Sequence, residues 1–202
     1  MTEINETVLD GIRSILPNHI SGKRLLHTVS VEAEAEAIGK LFDLSEAEIY
    51  KLRCAALLHD LTKEKKLDGQ IELCERFGIP YTDEDVKSPK VFHAFTGAFL
   101  ARELFPDLVD ETVFNGIKYH TTGREDMTLF EKIIYLADYI EPQRTFEDCV
   151  RLRELFYSAE NFDITHLDKV LLVSFDMTLR CLIEENAPMH SATVRARNFL
   201  VK

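Results

Sequence analysis

Among the 202 residues, the decamer "CAALLHDLTK", residues 54–63, poses a chemical problem. Small and apolar side chains suited to the buried face of a helix run directly into His59 and Asp60, with Lys63 just beyond. An imidazole and a carboxylate are costly at the edge of an apolar face unless something binds them. His27 lies upstream in "RLLHTVSV" and Asp138 downstream in "LADYIE". Brought together, His27, His59, Asp60 and Asp138 offer neutral nitrogen and anionic oxygen, a donor set suited to a hard or borderline ion such as iron, manganese or zinc. Adjacent residues stand about 100° apart around a helix, but at a helix end both can turn toward one ion. An ion held this way lowers the pKa of its water and polarises a phosphorus. Lys63, three residues after Asp60, and Arg144, six after Asp138 and just past Pro142, add fixed positive charge suited to a pyrophosphate.

The elements that must position these groups read as helices. Ile4, Val8, Ile12 and Ile15 fall at helical spacing before Pro17. A second helix begins near Ser21, with an apolar stripe of Leu26, Val29, Ala33, Ala37 and Leu41. Ser45 and Glu48 make a capping-box pattern that opens a third, ending at His59 and Asp60. A short helix over 68–77 closes at Gly78 and Pro80. "YTDEDVKS" reads as a polar loop, and Pro89 as the first turn of the helix that carries His93. His120 ends the next helix. Thr128 and Glu131 box the start of the one containing Asp138, which Pro142 stops. Helices around 149–157, 164–185 and after Ser191 complete the chain. The expectation is an all-α bundle, one domain over 1–202, with a catalytic core at about 20–145 and additional C-terminal helices at 146–202.

The chain carries 24 Lys and Arg against 35 Asp and Glu, a net charge of −11. That field repels polyanions, so nucleic acid is excluded as a partner and any phosphate must be held locally. No apolar run approaches the length of a membrane span, and the N-terminus is acidic where a signal peptide needs basic residues. A cytoplasmic protein is expected. Cys54, Cys74, Cys149 and Cys181 lack C-x-x-C spacing and read as reduced structural residues. His19, His166, His190, Arg102 and Arg124 read as structural or surface groups, and the stripe Phe92, Phe95, Phe99 as core. Tyr139, beside Asp138, is open.

The order H…HD…D on helices, joined to "RLLHTVSVEAEA", "LLHDLTK", "VFHAFTGA", "YHTTGR" and "LADYIEPQR", resembles the HD phosphohydrolase superfamily and, within it, the YqeK family. The likeness runs from Lys23 to Arg144. It implies an HD-domain bundle and an iron-binding hydrolase that splits diadenosine tetraphosphate and related dinucleoside polyphosphates symmetrically to ADP. His27, His59, Asp60 and Asp138 become metal ligands for one or two divalent or trivalent ions, iron first, with manganese or zinc as alternatives. Asp60, His93 and His120 become catalytic. His93 and His120 complete a second metal position, touch phosphate, or move a proton, for example to the leaving oxygen. Arg24, Lys63, Thr121, Thr122 and Arg144 are implied to line the nucleotide pocket, together with Asp60, His93 and His120. A homodimer is a further expectation. In "APMHSATVRARN", Ser191 stands where the family pattern suggests proline. Three other readings are an HD-type nucleotide sensor, a phosphohydrolase of another nucleotide and a nucleic-acid phosphodiesterase. Missing ligands would favour the first, and basic surface along a strand would favour the last.

Overall fold

The computed structural model describes residues 3–201, and among these it contains helices and no strand. They are α1 (Glu6–Ile15), α2 (Gly22–Leu41), α3 (Glu46–Leu58), α4 (Leu67–Phe77), α5 (Asp83–Lys87), α6 (Phe92–Leu104), α7 (Glu111–Tyr119), α8 (Leu129–Ile140), α9 (Glu147–Tyr157), α10 (Ile164–Glu184) and α11 (Ser191–Leu200). Single 3-10 turns at Leu16–Asn18 and Pro89–Val91 precede α2 and α6. Both expected capping boxes are present: Ser45 with Glu48 opens α3, and Thr128 with Glu131 opens α8. Gly78 closes α4 in the left-handed region.

Three local expectations need correcting. The polar loop holds a helix, because Thr82 and Asp85 form a third capping box that starts α5. Pro89 opens the 3-10 turn, and α6 begins three residues later. The apolar stripe of α2 is misplaced: Leu26, Val29 and Ala33 are exposed, while Thr28, Val31, Ala35 and Ile38 are fully buried. The cause is that α2 packs against both α3 and α8, so its buried sector is wide enough to include acids. Glu32 is buried because Arg13 and Arg53 both pair with it, tying α1, α2 and α3 together. Glu34 accepts the Tyr157 hydroxyl at 2.7 Å. Glu32, matched by two guanidinium groups, escapes the penalty that would otherwise keep it at the surface, while burial raises the pKa of Glu34; the hydropathy pattern therefore misjudges the face.

One apolar cluster extends from Ile4 to Ala196 and takes in Ile133, Ile134, Leu136, Ala137 and Ile140 of α8. Each fully buried aliphatic side chain is worth about 1.5–3 kcal/mol, so α8 is strongly anchored and its polar residues are held with it. Phe92 is buried, and Phe99 meets Phe77 and Phe114 at 5.9 and 5.1 Å; the phenylalanine stripe is core. Cys54, Cys74 and Cys149 are buried and Cys181 is exposed. No helix of the described residues is long and apolar enough to cross a membrane.

The loop between α7 and α8 turns at Gly123, whose φ is +64° and whose missing Cβ would lie 2.7 Å from Cζ of Phe175. The left-handed conformation alone costs a non-glycine residue roughly 1–2 kcal/mol. Gly123→Ala is therefore expected to lower Tm by at least about 2–8 °C, read by calorimetry. An unchanged Tm would mean that this turn is not constrained as described.

Candidate metal centre

Helices α2, α3 and α8 bring the four expected ligands together. His27 projects from α2 and Asp138 from α8, while α3 ends at Leu58 and leaves His59 as its C-cap, followed by Asp60 in the turn. His27 Nε2 stands 3.0 Å from Asp138 Oδ1 and 3.7 Å from Asp60 Oδ2. His59 Nε2 stands 3.3 Å from Asp60 Oδ2 and 3.7 Å from Asp138 Oδ1. Ligands about 2.1 Å from one ion are separated by roughly 3.0 Å in octahedral and 3.4 Å in tetrahedral geometry, so these spacings suit a shared ion. His27 Nε2, His59 Nε2 and Asp60 Oδ1 are buried and make no aligned hydrogen bond to protein.

The other face of each imidazole is fixed. His59 donates from Nδ1 to the Ala56 carbonyl at 2.6 Å, and His120 from Nδ1 to the Ile117 carbonyl at 2.7 Å. His27 Nδ1 faces Glu141 Oε1 at 3.0 Å. This is the outer-shell arrangement that directs Nε2 lone pairs at a metal. Burial disfavours charge on His59, but Asp60 and Asp138 outweigh it and push the pKa up to about 10. Both carboxyls lie well below their usual range despite burial, Asp60 chiefly through His59 and Asp138 through Arg144. The donor set thus demands positive charge where the Nε2 atoms point, and it fits a divalent ion.

Asp60 also faces a second group. Its Oδ1 lies 3.3 Å from His93 Nε2 and 3.7 Å from His120 Nε2. Those two nitrogens are 3.0 Å apart, and Thr121 Oγ1 is within 3.1 Å of each. Lys63 Nζ is 3.0 Å from His93 Nε2. Burial and the Lys63 ammonium lower the His93 pKa to about 3, and burial lowers that of His120. Burial thus disfavours the charged form of both imidazoles. Burial also lowers the Lys63 pKa, against the pull of Asp60.

Arg24 donates to Asp60 Oδ2 at 2.9 Å and Arg144 to Asp138 Oδ1 at 2.8 Å. Together with Lys63 they line a cleft of about 500 Å³ that reaches His27. Thr122 does not join them: it is buried, and its hydroxyl donates to the Gly123 carbonyl. Thr62, Gln70 and Thr96 were not singled out from sequence. Thr62 donates to the His93 carbonyl at 3.0 Å and contacts Thr96, while Gln70 binds the Thr62 carbonyl, and the HD turn is thereby locked to α6. Glu141 was also missed, though it follows Asp138 at i+3, on the same helical face. Arg153 of α9 holds this stretch by donating to the carbonyls of Ile140, Glu141 and Arg144.

Residues 24–143 match the HD domain model, more than half of the chain. The chain belongs to the HD-domain family. It is 34% identical over 97% of both chains to the symmetrical bis(5'-nucleosyl)-tetraphosphatase of Bacillus subtilis (strain 168). It is 30% identical to the enzyme of the same name from Staphylococcus aureus (strain NCTC 8325 / PS 47), over 88% of this chain and 86% of the other. A crystal structure from Clostridium acetobutylicum, described as that of a predicted HD superfamily hydrolase involved in NAD metabolism, superposes with a TM-score of 0.84 at 36% identity, covering 95% of this chain and 96% of that one.

Two substitutions test the centre. Saturation with Mn(II) at a hundred times Kd is expected to stabilise the native protein by about 2.7 kcal/mol, a rise in Tm of roughly 5–10 °C; Asp60→Ala should abolish that rise. A full response in the variant would remove Asp60 from the centre. Glu141→Gln should weaken metal affinity roughly 10- to 100-fold by titration calorimetry while the protein stays folded by circular dichroism. Unchanged affinity would show that the Glu141 carboxylate does not tune His27.

Proposed function

We propose that the protein is a metal-dependent phosphoanhydride hydrolase that cleaves diadenosine tetraphosphate and related dinucleoside polyphosphates symmetrically to nucleoside diphosphates. The observation that carries this reading is the convergence of two carboxylates and two Nε2 atoms beside a cleft walled by Arg24, Lys63 and Arg144. His27, His59, Asp60 and Asp138 would hold the ion, iron first among the candidates by family likeness. When bound, it supplies Lewis acidity toward a phosphoryl oxygen and a water of lowered pKa.

The remaining chemistry belongs to the chain. Arg24, Lys63 and Arg144 bind the phosphate oxygens, Arg through planar forks and Lys as a compact charge. Asp60 presents one oxygen to each histidine group; a second ion, if bound, would be held by Asp60, His93 and His120 in place of the proton-accepting role of His120 given next. His120 has its Nδ1 proton committed to Ile117, which leaves Nε2 to take a proton from the attacking water. His93 Nε2 stands 3.0 Å from His120 Nε2, and the Thr121 hydroxyl lies within hydrogen-bond distance of both. Departure of ADP requires no general acid, because its terminal phosphate has a second pKa of only about 6. Seating one nucleoside diphosphate along the basic wall places its terminal phosphorus at the centre, and attack there breaks the middle bridge. The free state of Cys54, Cys74, Cys149 and Cys181 suits work in the cytoplasm.

Hydrolysis in oxygen-18 water, with products separated by mass, tests this register. Two ADP per diadenosine tetraphosphate, one of them labelled, is the expected result. ATP and AMP as primary products would place the substrate in another register.

A further inference from the structure

The cleft changes character from floor to rim. The His27 side chain is 12% exposed and those of Arg24, Lys63 and Arg144 are 28–29% exposed, while Leu26 is 69% and Phe146 72% exposed. All six line the same cleft. Neither apolar residue is there for the fold. Leu26 lies on the open side of α2, immediately before a proposed metal ligand, with Val29 exposed nearby. Phe146 is the N-cap of α9 and makes no side-chain capping bond; a Ser, Thr, Asp or Asn there would satisfy a helix N–H and favour the helix. At Phe146 the stability of α9 alone would favour a polar capping residue.

We propose that Leu26 and Phe146 form the platform on which one terminal base of the dinucleotide lies. The inference rests on the reading that the basic wall holds the polyphosphate chain, and it deepens that reading by assigning the nucleoside end. A polyphosphate seated between Arg24, Lys63 and Arg144 leads outward from His27 toward the rim, and the rim offers an aliphatic and an aromatic surface where a flat heterocycle must go. An apolar platform grips the face of the ring, which every base has, and not its edge. The site is therefore tolerant of base identity: ADP and GDP should bind alike, and both more tightly than pyrophosphate, which carries the same anhydride and lacks the nucleoside.

The experiment measures inhibition of the metal-loaded full chain by ADP, GDP and pyrophosphate, in the native protein and in Phe146→Ser, Leu26→Ser and Phe146→Tyr. The serine variants are expected to raise Ki for ADP and GDP by roughly ten- to a hundred-fold, with Ki for pyrophosphate unchanged, and Phe146→Tyr should keep native affinity. Both positions are exposed, and circular dichroism checks that the variants fold. Unchanged ADP inhibition in both serine variants overturns the platform. So does an equal loss of pyrophosphate affinity, which would mean a general disturbance of the cleft. Unchanged ADP binding with a shift in oligomeric state by sedimentation also overturns it, since the apolar rim would then be a contact between copies. Failure of pyrophosphate to bind the native protein would instead remove the underlying reading, and the platform with it.

Discussion

Asp60 and Asp138 carry negative charge into the interior of a helical bundle, and the surrounding structure answers that cost. Burying a carboxylate costs several kcal/mol even after relaxation, and here two meet beside the same pair of imidazoles. The compensation comes from every side: Arg24 from α2, Lys63 from the HD turn, Arg144 from beyond α8, and the Nε2 atoms of His27 and His59. The resulting site favours a cation strongly enough to lift His59 to about 10 against full burial. The packing of α2 against both α3 and α8 is what allows the donors to meet, and the apolar anchoring of α8 holds Asp138 in place.

The same electrostatics explain how an acidic protein can hold a polyanion. The net charge of −11 acts over the whole surface, but salt screens it beyond about 8–10 Å, whereas the cations of the cleft act at contact distance. Asp60 links this cleft to the histidine pair on its other side, since its two oxygens face different groups. In the mechanism we propose, Asp60 would therefore touch both the metal ligands and the histidine pair. The C-terminal helices contribute as well: Arg153 fixes the carbonyls around Glu141 and Arg144, and Ser191 binds Glu84 through both its N–H and its hydroxyl. Proline has no N–H with which to make the first of those contacts.

Much of this was legible in the sequence because it depends on local rules. The capping boxes at Ser45 and Thr128, the closure at Gly78 and the ends of α3 and α8 follow from residue types a few positions apart. His59 and Asp60 stood out because each is costly in its apolar setting, and His27 and Asp138 joined them through the order H…HD…D. What was hidden depends on partners distant in sequence. The buried face of α2 was misread because Glu32 and Glu34 are buried by Arg13, Arg53 and Tyr157, which no window of sequence reveals. Glu141 resembles a solvated helix-end acid until His27 is placed 3.0 Å from it. Thr122 carries the same chemistry as Thr121 and differs only in direction, which the turn at Gly123 decides.

The central claim is that His27, His59, Asp60 and Asp138 hold one ion between them. Anomalous diffraction from crystals of the metal-loaded protein, recorded above and below the metal absorption edge, addresses it without recourse to activity. The account predicts an edge-dependent peak about 2.0–2.3 Å from His27 Nε2, His59 Nε2, Asp60 Oδ2 and Asp138 Oδ1, with a second peak, if present, on the Oδ1 side of Asp60. A metal-loaded crystal with its anomalous density elsewhere, or with these four groups farther than bonding distance from it, would contradict the account.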